Sequence, residues 1–278
     1  MHKKIEQILC KFNDRDFFPV LGVEIEFYVL GDDKDSKVEE FISKMSDTIC
    51  LTIQKEKGYR QYEIASETFL DVFQLIDFVQ NIRKIISNIR IDNSFLHASF
   101  HPKPYSNDYG SAMHLHLSLN DKDGFNIFNN YDNIEANDVL INAIGGVLKL
   151  LNRSIYMITG DDESEFSRFH GNYMSPTKIC WGKNNRTAAI RIPDSLLFDK
   201  NRRIEFRIPS AKACITKVVL YLLTSTFYGI NNSTTPPECL YGNACDDIYN
   251  LETIHSTLKE AKNDFRFWEI FEDICKST

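Results

Sequence analysis

Four short stretches put a polar or charged side chain on every second residue, with apolar residues between: Glu24-Ile25-Glu26, Gln61-Tyr62-Glu63, His114-Leu115-His116-Leu117-Ser118 and Arg203-Ile204-Glu205-Phe206-Arg207. Successive side chains of a strand point to opposite faces, so each stretch would show a polar row on one face and an apolar row on the other. Any one of them reads as an ordinary amphipathic strand with a solvated outer face. Together they favour carboxylate, imidazole and guanidinium where Lys, Thr and Ser would serve a solvated face equally well. Carboxylates are hard oxygen ligands for divalent cations, and arginine forks hold phosphate or carboxylate. The chemistry predicted is that of an enzyme handling a metal nucleotide on one face of a sheet.

The elements that must position these residues follow from periodicity. Helices are predicted over residues 2–11, 36–48, 68–90, 136–152 and 211–229, with further helices towards the C-terminus. The long helix over 68–90 carries Phe73, Leu75, Ile76, Phe78, Val79 and Ile82 at helical spacing. Strands are predicted over 21–30, 50–55, 60–65, 112–119, 186–192 and 203–208. Residues 158–178 have little periodicity and contain Gly160, Gly171 and Pro176, so they read as a long loop. Half-polar strands alternating with helices predict an α+β fold, an open antiparallel sheet with helices packed behind it. No repeat, low-complexity tract or Pro/Gly-rich linker divides the chain, so residues 1–278 read as a single domain.

Composition excludes several classes. The chain has 278 residues, 43% hydrophobic and 26% charged, which is ordinary for a folded globular protein. A net charge of -7 argues against an extended nucleic-acid footprint, although arginines between Arg186 and Arg207 could still hold phosphate. The N-terminus has lysines but no apolar core of a signal peptide, and the best apolar run, Val218 to Leu223, is far too short to span a bilayer. The expectation is a cytoplasmic protein with no nucleic-acid or membrane partner. Seven scattered cysteines without a CxxC pair predict reduced, packed thiols, and neither a disulfide framework nor a zinc site.

The ordered motifs GVEIEFYVL (22–30), RQYE (60–63), HPKPYSNDYGSAMHLHLSL (101–119), SPTKICWGKNNRTAAIRIP (175–193), RRIEFRIPSA (202–211) and PPECLYGN (236–243) resemble the catalytic domain of glutamine synthetase over nearly the whole chain. The resemblance implies the glutamine synthetase and guanido kinase fold, a curved antiparallel sheet with helices packed on one face. It implies ATP and Mg2+ or Mn2+ as cofactors. It also implies a reaction in which a glutamate-type carboxylate is phosphorylated and ammonia or an amine displaces phosphate from the acyl phosphate. By the same resemblance Glu24, His114 and Glu205 would hold the metal that meets ATP, and Glu26 and Glu63 the other metal. His116 and Ser118 would lie along the nucleotide and Arg191 and Arg203 at its phosphates. Gly110, Arg168 and Arg207 would contact the amino-acid substrate, with Arg186, Glu205 and Arg207 at the transferring phosphoryl group. For Arg168, whose neighbours Phe166, Ser167 and Phe169 depart from the family's wording, a surface ion pair is an equal reading. Trp181 and Gly182 read as a packing and turn pair.

Three departures from the family bear on chemistry. Lys55 stands where the family has a third glutamate of the first metal, with Glu56 beside it. Met174 stands at the position of a loop glutamate that takes a proton from ammonium, and Tyr109 replaces the asparagine before Gly110-Ser111. With the strand carrying Glu24 beginning at Leu21, the family's small β-rich N-terminal domain is not expected here, and the expectation is a monomer or small homo-oligomer rather than a double-ring dodecamer. Two readings result. One is an ATP- and metal-dependent carboxylate-amine ligase, with glutamine synthesis the nearest named activity; the other is a non-catalytic relative that keeps nucleotide binding as a regulatory module.

Overall fold

The computed structural model describes residues 1–129, 137–170, 174–193 and 201–276. In chain order the strands are β1 (Phe18–Leu30), β2 (Ile53–Lys55), β3 (Gln61–Ala65), β4 (His97–Ser99), β5 (Met113–Asn120), β6 (Trp181–Lys183), β7 (Ile190–Ile192) and β8 (Ile204–Phe206). The helices are α1 (His2–Asn13), α2 (Asp35–Ile49), α3 (Val72–Asn88), α4 (Asp138–Leu150), α5 (Ile155–Thr159), α6 (Ile215–Asn231), α7 (Leu258–Asn263) and α8 (Phe267–Lys276). Among the described residues the strands form one sheet in the order β2-β3-β1-β5-β8-β7-β6, with β4 paired to β1. The pairs are antiparallel except β6 with β7, which run parallel. The α+β architecture is as predicted; the parallel pair corrects an all-antiparallel sheet.

Alternation decides which face the helices cover. Val23 and Ile25 of β1, Leu115 and Leu117 of β5, and Ile204 and Phe206 of β8 are buried in one cluster with α1, α3, α4 and α6. Their neighbours in sequence, Glu24, Glu26, His114, His116 and Glu205, are thereby sent to the other face. Helix α3 starts at Asp71, whose side chain accepts a hydrogen bond from the Phe73 N–H at 2.8 Å, and buries Leu75, Ile76, Val79, Ile82 and Ile86. Helices α4 and α6 touch backbone to backbone: a Cβ on Gly146 would lie 2.1 Å from the Ser225 carbonyl, and one on Gly229 2.0 Å from that of Asn142. A second cluster packs Val38, Phe41 and Met45 of α2 against Phe27 and Val29 of β1.

Residues 158–178 differ from a featureless loop. Helix α5 reaches Thr159, and a 3-10 helix over Glu163–Phe169 begins at Asp162, which accepts from the Ser164 N–H at 2.9 Å. The sequence shows no period there because 3-10 geometry repeats every three residues and the segment is short. Residues 171–173 of that stretch, and residue 136 at the start of the predicted helix 136–152, lie outside the described residues. Strands β4 and β6 were not predicted; Gly182 is in β6 and not in a turn, while Trp181 packs as expected, its Nε1 donating to the Pro237 carbonyl at 2.7 Å. Among the cysteines Cys180 is buried, but Cys10, Cys50 and Cys214 are exposed, and all seven are free thiols. No helix among the described residues is long and apolar enough to cross a membrane.

Candidate active site

The strand register gathers the polar row. Glu26 faces Glu63 across β1 and β3, Glu24 faces His114 across β1 and β5, and Glu205 stands between His116 on β5 and Arg191 on β7. Two clusters result, Glu24 with His114 and Glu205, and Glu26 with Glu63 and His114, and in each the donor atoms all lie within 4.8 Å of one another. The clusters open into a cavity of about 290 Å3 whose walls include Glu24, Glu26, Glu63, Arg168, Arg186 and Arg207. Ser118, His116 and Arg203 share the strand face but lie outside the cavity wall.

Hydrogen bonds fix the row. His114 Nδ1 is 3.3 Å from Glu24 Oε2, and His116 Nε2 is 3.1 Å from Glu24 Oε1. Arg203 Nε donates to His116 Nδ1 at 2.9 Å, which makes Nδ1 the acceptor nitrogen and leaves the ring proton on Nε2, facing Glu24. Glu205 is 1% exposed and bonded by Arg191 Nη1 at 2.7 Å and by Arg207 Nη1. The Arg186 guanidinium is exposed on the cavity wall and has no hydrogen-bond partner among the described residues.

Charge is uneven across the row. Burial raises the Glu63 carboxyl to about 9, with repulsion from Glu24, Glu26, Glu56 and Glu205 adding to it. Burial likewise raises Glu26 to about 7. Burial and the Arg207 charge lower His114 to about 4, so its imidazole is neutral at pH 7 and free to ligate. Burial opposes ionisation of Glu24, but hydrogen bonds from His114 and His116 outweigh it and hold Glu24 well below the usual carboxylate range. Burial also opposes ionisation of Glu205, and the surrounding histidines and arginines overcome it. One end of the row is therefore charge-balanced by arginine; at the other, Arg168 and Arg207 only partly offset burial and the crowding of carboxylates.

The turn after β2 puts Glu56 and Lys55 on different sides of the strand. Gln54 pairs with Glu63 and Lys55 with Tyr62, so residues 54 and 56 face the cavity and Lys55 faces the opposite side. Glu56 lines the cavity, whereas Lys55 lines a neighbouring groove with Asp35 and Glu39. Gln61, 2% exposed, straps this turn down: its Nε2 donates to Glu26 Oε2 at 3.0 Å and to the Gly110 carbonyl at 3.1 Å, and its Oε1 accepts from the Gly58 N–H at 3.0 Å. Gly58 is required by contact, because a Cβ there would sit 2.2 Å from the Tyr28 hydroxyl. Tyr28 is next in the Glu24, Glu26 row, and its hydroxyl donates to the Tyr109 carbonyl at 2.7 Å.

Arg168 is no surface ion pair. It is 3% exposed, and its guanidinium donates to the Ile208 carbonyl at 2.7 Å, with burial lowering it to about 10. Its Nε N–H is buried without a partner. Gly110 makes room for it, since a Cβ there would approach the Arg168 Cγ to 2.9 Å. Met174 lines the cavity with φ of 59°, and Lys57 Nζ lies 3.0 Å from its sulfur. Gln54, Lys57, Gln61 and Ser175 line the cavity without a role read from the sequence, Tyr28 supports the turn beside it, and Glu56 is the alternative to Lys55 that the sequence offers. Alternation within QYE and EIEFY was the available signal for Gln61 and Tyr28.

Comparison with known proteins fits this geometry. Residues 43–275 match the family model of the glutamine synthetase catalytic domain. The glutamine synthetase of Thermotoga maritima is 27% identical, over 97% of this chain and 67% of that protein. Gamma-glutamylputrescine synthetase PuuA of Escherichia coli K12 is 25% identical, over 87% of this chain and 57% of that one. The Neisseria gonorrhoeae glutamine synthetase is 32% identical over 72% of this chain and 42% of its own length. The chain thus spans about two thirds of the first of these relatives and less of the other two. A solved GmaS/ADP complex superposes with a TM-score of 0.81 over 99% of this chain and 69% of that one, at 18% identity, a likeness of fold.

Proposed function

Because the chain belongs to the glutamine synthetase family, we propose that it is an ATP- and divalent-metal-dependent ligase joining a glutamate-type carboxylate to an amine through an acyl phosphate. The observation that carries this reading is His114, shared by two carboxylate clusters whose donors lie within 4.8 Å. The residues fit the metals: carboxylates with one neutral imidazole suit Mg2+ or Mn2+, and Glu63, raised to about 9 by burial and its neighbours, marks anionic crowding that a dication would relieve. Glu24, His114 and Glu205 would hold one ion, and Glu26 and Glu63 the other, with His114 within reach of both and Glu56 on the same wall. Bound metal supplies charge neutralisation at the phosphoryl oxygens.

The chain's own residues account for the rest. Arg186, unpartnered on the cavity wall, meets the transferring phosphoryl group, while Arg191 and Arg203 hold the nucleotide phosphates and His116 and Ser118 continue along the nucleotide. The acid lies against Gly110, Arg168 and Arg207 on the cavity wall. Its side-chain carboxylate oxygen bonds to the γ-phosphorus as ADP leaves. The amine lone pair then attacks the acyl carbon, the C–N bond forms, phosphate departs and nitrogen loses a proton. Met174 can cover the acyl phosphate but cannot take that proton.

Met174 is the observation that favours the second reading, a nucleotide-binding relative without catalysis. Lys55 no longer does, because Glu56 fills the wall in its place. The deciding experiment is phosphate release from Mg-ATP with L-glutamate and hydroxylamine, expected to depend on both. Tight Mg-ATP binding with no amine-dependent release would favour the second reading.

A further inference from the structure

We infer that Lys57 selects the acceptor, and that the amine substrate is one bearing an anionic group, of the amino-acid class; the inference rests on the ligase reading above. Lys57 sits on the cavity wall at the end of the strapped turn, one residue past Glu56 and beside Met174. Its ammonium is unspent. Among the described residues no carboxylate lies within ion-pair distance, and its only side-chain partner is the Met174 thioether at 3.0 Å, a weak acceptor. The turn that carries it is rigid: Glu56 N–H donates to the Gln61 carbonyl at 2.8 Å, Lys57 N–H to Glu56 Oε2 at 3.3 Å, and Gly58 is wedged under Tyr28.

Lys57 is exposed on the wall beside the uncharged Met174 thioether and near the Glu56 carboxylate, while Arg186 is the other exposed cation of the same wall. Across the same turn lies a groove of about 480 Å3 that shares Glu56 and Lys57 with the cavity and adds Lys55 and Arg60 together with Asp35 and Glu39. A small cationic amine or a diamine bound beside Lys57 faces like charge, which disfavours it. An amino acid meets Lys57 with its carboxylate and presents its amine inward.

The test compares β-alanine with 1,3-diaminopropane, amines of similar length that differ in the charge at the far end. Phosphate release from Mg-ATP and L-glutamate is measured for the unmodified protein, Lys57→Gln and Lys57→Glu. Each kcat/KM is normalised to hydroxylamine in the same variant, and melting curves establish that each variant is folded. We expect the β-alanine to diaminopropane ratio to exceed one in the unmodified protein, to fall about tenfold in Lys57→Gln and to invert in Lys57→Glu. A ratio that stays constant across the three proteins while hydroxylamine supports release, or a preference for the diamine in the unmodified protein, overturns the role of Lys57 and leaves the ligase reading standing. Absence of release with every amine, hydroxylamine included, overturns the ligase reading and this inference together.

Discussion

Glu26 and Glu63 stand directly opposite one another across the β1–β3 ladder, two carboxylates on the same face of the sheet. Like charges in that position destabilise a sheet unless one is neutralised. Glu63 ionises near about 4.3 in an unfolded chain, and burial with neighbouring carboxylates raises it to about 9 in the folded protein. Between those limits the folded state keeps a proton that the unfolded state has lost, so stability falls as pH rises. The contribution is complete below about 4.3 and gone above about 9. Without divalent metal, Tm should therefore decline from pH 6 to pH 9, and Glu63→Gln should flatten the decline, leaving the part due to Glu26 below about 7. Equal slopes in the two proteins would contradict the assignment.

Metal binding should release that proton. A cation that uses the Glu63 carboxylate must displace it, so apparent affinity for Mn2+ should climb with pH towards about 9. Calorimetric titration at pH 7.5 in two buffers of different ionisation enthalpy reads the number of protons released. We expect close to one proton per ion from Glu63, and clearly less from Glu63→Gln. A buffer-independent heat in the unmodified protein would refute it.

Glu56 and Lys55 should behave as opposites. Glu56→Gln should weaken Mn2+ binding, by about tenfold for loss of one charged ligand, because Glu56 is on the cavity wall. Lys55→Glu should leave affinity and stoichiometry unchanged and shift stability by no more than about 0.5 kcal/mol, because Lys55 faces the groove on the far side of the turn. Raised stoichiometry in Lys55→Glu would mean that Lys55 reaches into the cavity.

That pair shows where sequence legibility stopped. Glu24, Glu26, His114, His116 and Glu205 were readable because alternation over β1, β5 and β8 sends them to one face whatever the neighbouring strands do. Residues 54 to 57 carry no such pattern, and a one-residue slip exchanges Lys55 for Glu56; only the pairing of Gln54 with Glu63 chooses between them. The burial of Arg168 depends on Ile208 and Gly110, both distant in sequence, and so has no local signature. Three-residue strands such as β4 and β6 are too short to show a period and exist because β1 and β7 offer them an edge.

Gly58 offers a test of how tightly the turn is strapped. In Gly58→Ala the new methyl would meet the Tyr28 hydroxyl at 2.2 Å and Gln61 Oε1 at 2.6 Å, and overpacking of this kind costs about 1–3 kcal/mol. Adding Tyr28→Phe removes the closest of three contacts and leaves the ring Cζ at 2.9 Å, so the double variant should lose less stability than the sum of the single variants. Simple additivity in denaturant unfolding would show that the turn moves aside.

Met174 and Lys57 should prove coupled in the handling of ammonium. A methionine at this position supplies no base, a role worth about 10²–10⁴ in rate, so hydroxylamine, which arrives uncharged, should be used far better than ammonium. Met174→Glu restores a carboxylate, but it would sit where the sulfur now lies 3.0 Å from the Lys57 ammonium. An ion pair there stabilises the ionised carboxylate and weakens it as a base. The single variant should therefore lower the hydroxylamine to ammonium ratio only partly, and Met174→Glu with Lys57→Gln should lower it further than the two single changes combined. If Met174→Glu alone lowers the ratio as far as the double variant, the two side chains do not meet in the working enzyme. If the unmodified protein uses ammonium as readily as hydroxylamine, the proton leaves by another group, and Met174 has no bearing on the choice of amine.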